Sequence, residues 1–192
     1  MLTDIHNSYR KEYINMLKEV KYDPNITLVS LDGFRIQITP SMALKVAEER
    51  GYKIDTEYSN VTFQDLISSP PNDKTETIYL SRIDTENGFL QKNITLTFED
   101  NRVMDVDFDT TIYGGDKDDA LKLLNSVLKR YPYLTLSKTE ENFVVYFYKP
   151  NKHAFLSASA SWKSAIRVSV HVRDGNYKQA KMINDALNSL RE

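Results

Sequence analysis

Residues 94–112 read Ile94-Thr95-Leu96-Thr97-Phe98-Glu99-Asp100-Asn101-Arg102-Val103-Met104-Asp105-Val106-Asp107-Phe108-Asp109-Thr110-Thr111-Ile112. Apolar and polar side chains alternate on either side of Asp100-Asn101, which is the period of a strand with one buried face. Asp and Asn tolerate the left-handed backbone of a tight turn, so the stretch predicts two antiparallel strands joined by a short hairpin.

Working outward, Thr77 to Asp84 adds a third strand across the Asn87-Gly88 turn, and the three segments make an antiparallel meander. A helix is expected before it over Pro40 to Arg50, with Thr39 as its cap, Pro40 in its first turn and Gly51 as a left-handed stop. Its apolar side chains are Met42, Leu44, Val46 and Ala47. Between helix and meander the pattern of Tyr52 to Leu66 is ambiguous, with at most a short strand around Val61 to Leu66, followed by the loop Ser68-Ser69-Pro70-Pro71-Asn72-Asp73.

Further upstream, Ile26 to Leu31 and Phe34 to Thr39 flank Asp32-Gly33 and predict a β-hairpin. Leu2, Ile5, Tyr9, Tyr13, Met16, Leu17 and Val20 recur at helical spacing, which predicts an amphipathic N-terminal helix ended by Asp23-Pro24.

Downstream the same order returns. Gly114-Gly115-Asp116 opens a helix over Lys117 to Arg130, with Ala120, Leu121, Leu124 and Leu128 inward and Pro132 after it. Strands are expected over Leu134 to Lys138, Asn142 to Lys149, Ala154 to Ser161 and Ala165 to Arg173. A helix over Tyr177 to Leu190 follows. The fold class expected is α+β: two fused units of helix plus antiparallel β-meander, residues 1–113 and 114–192, with additional N- and C-terminal helices.

A net charge of −2 on 192 residues lacks the basic excess of a phosphate-backbone binder, so nucleic acid is not an expected partner. No run approaches the roughly 20 apolar residues that span a bilayer, and Met1 to Arg10 lacks the apolar core of a signal peptide. As written, the chain is expected to be soluble and cytoplasmic, with an exported protein whose signal has been removed as the alternative. Cysteine is absent, which excludes disulfides, thiolate metal sites and a cysteine nucleophile.

The helix Pro40 to Arg50 with the hairpin Ile94 to Phe108, and the helix Lys117 to Arg130 with Phe143 to Val172, together resemble the tandem modules of β-lactamase inhibitor proteins. Each unit alone is similar to the single module of BamE-type outer-membrane assembly lipoproteins. The chain departs from both in lacking the inhibitors' disulfides and the lipoproteins' lipid-attached cysteine, so no binding residue is carried over. The resemblance implies that an exposed sheet face grips another protein.

Several segments carry candidate chemistry. Asp105, Asp107 and Asp109 project from one strand face, about 7 Å apart, as a solvated acidic stripe or as ligands for a hard cation, although a straight strand spreads them. Arg167, Ser169, His171 and Arg173 alternate with Ile166, Val168, Val170 and Val172. If the two strands share a face they form cross-strand ion pairs; if not, the basic row is free for an acidic partner.

Phe143 to Tyr148 is apolar on both faces, so one of them is either covered by a helix or exposed as an aromatic patch. Leu156, Ala158, Ala160 and Trp162 form one face of the next strand, to be packed by a helix or to wall a ligand groove. His6, His153 and His171 stand far apart and show no zinc spacing, and no phosphate loop or nucleophile elbow is present. No metal or other cofactor is expected.

These readings lead to an expected non-enzymatic protein-binding module. Its site would be an exposed sheet face bearing Tyr146, Tyr148 and Trp162, with Arg167, His171 and Arg173 at the rim. The alternative is a small-molecule pocket on a concave sheet lined by Trp162 and neighbouring tyrosines. An enzyme built on Asp105, Asp107 and His171 is the third option.

Overall fold

At the hairpin that anchors the sequence reading, Asp100 and Asn101 take φ of 53° and 56°, the left-handed turn their short polar side chains permit. The computed structural model describes residues 23–72, 74–86 and 89–175, together with Lys11 and Asn188. Apart from the single residues Lys11 and Asn188, the expected N- and C-terminal helices lie outside the described residues.

Within them the chain runs α1 (Pro24–Thr27), α2 (Pro40–Glu49), β1 (Lys53–Asp55), α3 (Phe63–Ser68), β2 (Thr75–Asp84), β3 (Phe89–Glu99) and β4 (Arg102–Tyr113). It continues through α4 (Lys117–Arg130), β5 (Thr135–Glu140), β6 (Phe143–Asn151), β7 (Ala154–Ser161) and β8 (Arg167–Asp174). The protein is α+β. All eight strands form one antiparallel sheet in the order β1-β2-β3-β4-β8-β7-β6-β5. After β4 the chain crosses by way of α4 to the far edge, and the second meander returns until β8 pairs with β4 at the centre.

One face of this sheet is apolar. Ile78, Leu80, Ile94, Leu96, Val106, Leu156, Val170 and Val172 belong to a single buried cluster. Ala43 and Ala47 of α2, Phe63 and Leu66 of α3, and Ala120 and Leu124 of α4 belong to the same cluster, so these helices cover the same face. Ala158 and Ala160 let α4 approach closely. Fully burying each large aliphatic side chain contributes about 1.5–3 kcal/mol, which makes this layer the main source of stability.

Three local expectations are corrected. Residues 26–31 and 34–39 are not paired strands: Asp32 and Gly33 make the turn at φ 49° and 89°, but pairing stops at one Leu31–Phe34 bridge. Before the turn, the Asp23 carboxylate caps Asn25 N–H at 2.8 Å with Pro24 in the first position, and this winds Ile26 into α1. After it, Gln37 N–H donates to Val103 and Val103 N–H donates to Ile38, which pulls the chain toward the start of β4.

Val61 to Leu66 is not a strand but leads into α3. Thr62 and Asp65 cap each other's backbone N–H groups at 3.1 and 2.9 Å, a reciprocal box that satisfies two orphan donors. In α2 the buried side chains are Pro40, Ala43 and Ala47, whereas Met42 is exposed. Thr39 does cap this helix, and Gly51 takes φ +73° after it.

Candidate functional site: the open face of the sheet

None of the helices whose packing is described above lies on the opposite face, and strand parity decides what appears there. A bulge at the start of β4 leaves Met104 without a partner and puts Val103 on the core side with Phe98. From Asp105 onward the alternation is regular, and Asp105, Asp107 and Asp109 point away from the core. The pairing of β4 with β8 sets Asp105 opposite Arg173, Asp107 opposite His171, Asp109 opposite Ser169 and Thr111 opposite Arg167. Acidic and basic strands therefore share a face.

Their contacts are diagonal as well as direct. His171 Nε2 lies 2.7 Å from Asp105 Oδ1, and Arg173 Nη1 lies 3.8 Å from Asp105 Oδ2. Arg167 Nε lies 3.3 Å from Asp109 Oδ2, and Ser169 donates its hydroxyl to Asp109 Oδ1 at 3.1 Å. The basic row is thus occupied by the neighbouring strand's carboxylates and does not stand free for an acidic partner. Asp107, between the two clusters, forms no hydrogen bond or ion pair with a described residue.

Burial shapes the proton affinities. Desolvation pushes the Asp107 carboxyl upward against the pull of His171, with Asp105 and Asp109 adding to the rise. Desolvation also raises Asp109, opposed by Arg167 and Ser169. For His171 desolvation alone would favour the neutral ring, but the hydrogen bond it donates to Asp105 and the charges of Asp105 and Asp107 hold its pKa above the ordinary value.

Toward β6, the cluster is bordered by aromatic side chains. Phe155 meets His171 edge-on at 4.9 Å and stacks on Phe147 at 5.5 Å. Toward β1, Tyr79 and Ile83 of β2 are 39% and 61% exposed, and at one end of the sheet Phe89 and Tyr113 pack edge-on while remaining 47% and 48% exposed.

The six residues expected to form one site fall on two sides of the sheet. Register places Tyr146 beside Ala158 and Tyr148 beside Leu156, both on the core face. Tyr148 donates its hydroxyl to Asp23 Oδ2 at 2.7 Å under α1 and packs against Tyr133. Trp162 also packs on the core cluster; Lys117 of α4 sits over its ring, and its indole N–H donates to Glu141 O at 3.1 Å. Only Arg167, His171 and Arg173 belong to the open face. The six therefore do not share one surface, and Trp162 does not wall a groove on that side.

Residues that the sequence reading did not single out take the place of the tyrosines: Phe155, Tyr79, Ile83, Phe89 and Tyr113. The available signal was parity, since Ile78 and Leu80 claim the core side of β2 and leave Tyr79 and Ile83 outward.

Among the described residues, no group of three or more His, Asp or Glu side chains converges to hold a metal ion, because the three β4 carboxylates are spread along a straight strand. No described helix is long and apolar enough to cross a membrane. Among the described residues, the fold and site define an α+β protein with one antiparallel sheet whose face away from the described helices is an ion-paired centre between aromatic margins. No protein-family model matches this chain, and no curated protein matches it.

Proposed function

We propose that this protein is a non-enzymatic protein-binding module that receives its partner on the open face of the sheet. The observation that carries the reading is the set of apolar side chains folding has left in solvent there: Tyr79, Ile83, Phe89 and Tyr113. Apolar groups gathered on one face and bordered by polar ones mark interaction surfaces.

Size agrees with this use. Eight strands at about 4.8 Å spacing span about 34 Å, and strands of eight residues run about 26 Å, a face that matches the roughly 800 Å² each side of a stable interface contributes. The partner's chemistry follows from the same surface: apolar side chains to cover Tyr79 and Tyr113, and a lysine or arginine placed over Asp107. The resemblance to inhibitor modules points in the same direction.

The test is affinity capture from native-source lysate with wild type, Ile83→Arg, Tyr113→Arg and the helix-side control Met42→Arg, each first verified as folded. A partner held by wild type and Met42→Arg but lost by both open-face variants supports the proposal. Capture of none, or equal capture by all four, overturns it.

A further inference from the structure

On the opposite side of the sheet a cleft of about 630 Å³ lies open between the Ser30–Gly33 turn and the end of α4. Its floor is Phe108 of β4 and Lys92 of β3; Arg50 and Asp32 form one wall, Arg130 and Tyr131 the other. A deeper hollow of about 150 Å³ shares Ser30, Asp32, Phe108, Arg130 and Tyr131 with this cleft and continues between Leu31, Leu123, Val127 and Val170. The cavity has a cationic mouth and an apolar end.

The three cations differ in their commitments. Arg50 is held by Asp32 at 2.7 Å, and Lys92 leans on Asp84 at 3.4 Å. Arg130, exposed in the last turn of α4, forms no ion pair with a described residue. Among the described residues Asp32 is the one carboxylate lining the mouth against these three cations, and it is already taken by Arg50, Tyr52 and Arg82. Positive charge is left over where a ligand would enter. A hollow of about 150 Å³ accommodates a ring the size of benzene.

We infer that this cleft binds a small anion with an apolar body, an aromatic carboxylate or phosphate monoester, its ring between Phe108, Val127 and Val170 and its charge between Arg130 and Lys92. Concave sites of mainly apolar lining with a few charged groups at the mouth are the ordinary form of small-molecule pockets. The site is independent of the open face, so the two proposals stand or fall separately.

Calorimetric titration with benzoate, phenyl phosphate, benzyl alcohol and inorganic phosphate tests it on the full chain. Saturable binding is expected for benzoate or phenyl phosphate, and the stronger of the two identifies the head group. Benzyl alcohol and inorganic phosphate, each lacking one half of the ligand, should bind about tenfold more weakly or not at all. Arg130→Gln and Lys92→Met should each weaken binding about tenfold, whereas Arg167→Gln on the other face should leave it unchanged. Absence of saturable binding by both aromatic anions, or binding indifferent to Arg130→Gln and Lys92→Met, or equally lost in Arg167→Gln, would overturn the inference.

Discussion

His171 stands directly across the ladder from Asp107, yet its Nε2 bonds Asp105 at 2.7 Å, one step along the diagonal. The proton it carries is stabilised by both carboxylates, and this gives the sheet centre a definite pH response. A base whose folded pKa is raised stabilises the fold fully below its unfolded value, 6.5, and the contribution fades as pH rises through the folded value. Asp107 and Asp109 act with the same sign at lower pH: held above 3.8, they keep their protons longer when folded and become unfavourable as they ionise. Urea midpoints for wild type should therefore fall between about pH 5 and 8, and those for His171→Gln should change less over the same range. A wild-type midpoint that is flat across that range refutes the coupling.

Asp32 provides the opposing term. Its carboxylate receives Arg50 at 2.7 Å, the Tyr52 hydroxyl at 2.5 Å and Arg82 at 3.0 Å, so one turn residue ties together α2, the start of β1 and β2. Burial pushes its pKa up, but the Tyr52 hydrogen bond and the charges of Arg82, Lys92 and Arg50 outweigh this and hold it below 3.8. The stability it supplies is present above 3.8 and is lost as pH falls through the lowered value. Arg82 Nε is already buried without a hydrogen-bond partner, so Asp32→Ala would leave the guanidinium poorly compensated. A loss of about 2–3 kcal/mol is expected by denaturant unfolding, most of it through Arg82 and Tyr52 because Arg50 is largely solvated.

Gly33 controls whether that network can assemble. It takes φ +89°, and an added Cβ would lie 2.9 Å from Val46 Cγ1 and 3.2 Å from Arg50 Nε. Gly51 has a similar φ of +73° with nothing within 4 Å. Gly51→Ala should therefore cost only the left-handed backbone penalty, about 1 kcal/mol, and Gly33→Ala clearly more. Equal thermal shifts for the two would show that the contact with α2 is relieved without cost.

How much of this was legible in the sequence depended on the range of the interaction. The meanders, α2 and α4 follow from local periodicity, caps and turns, and the Asp32-Gly33 turn is where the sequence placed it. The strands expected beside that turn do not pair because Val103 of β4 claims the backbone of Gln37 and Ile38, which β-branched composition does not reveal. The start of α3 is legible in the sequence, since Thr62-Phe63-Gln64-Asp65 has the spacing of a capping box. At the site, parity correctly grouped Arg167 with His171 and Arg173. It could not say which face of β6 joins which face of β8, because that depends on register carried through β7. The ambiguity is greatest where both faces of β6 are apolar, and there Tyr146 and Tyr148 lie on the core face rather than the expected exposed one.

That reassignment has a stability consequence of its own. Tyr146 packs on the core cluster, Tyr148 also bonds Asp23, and Trp162 is held by Lys117 and Glu141, whereas Tyr79, Ile83 and Tyr113 extend into solvent on the other face. Alanine at any of the first three removes part-buried aromatic area and should cost about 2–3 kcal/mol, short of the 3–5 kcal/mol of a fully buried aromatic. Tyr148→Phe isolates the hydrogen bond to Asp23 and should cost about 1–2 kcal/mol. Alanine at Ile83 should change stability by no more than about 0.5 kcal/mol, and at Tyr113, which packs edge-on against Phe89, by about 1 kcal/mol. Urea denaturation of the six single variants separates the two sets: aromatics of the helix-packed face behave as core, and those of the open face are dispensable to the fold and available to a partner. If Ile83→Ala and Tyr113→Ala prove as destabilising as Tyr148→Ala, those side chains are structural and the open face loses its standing as a binding surface.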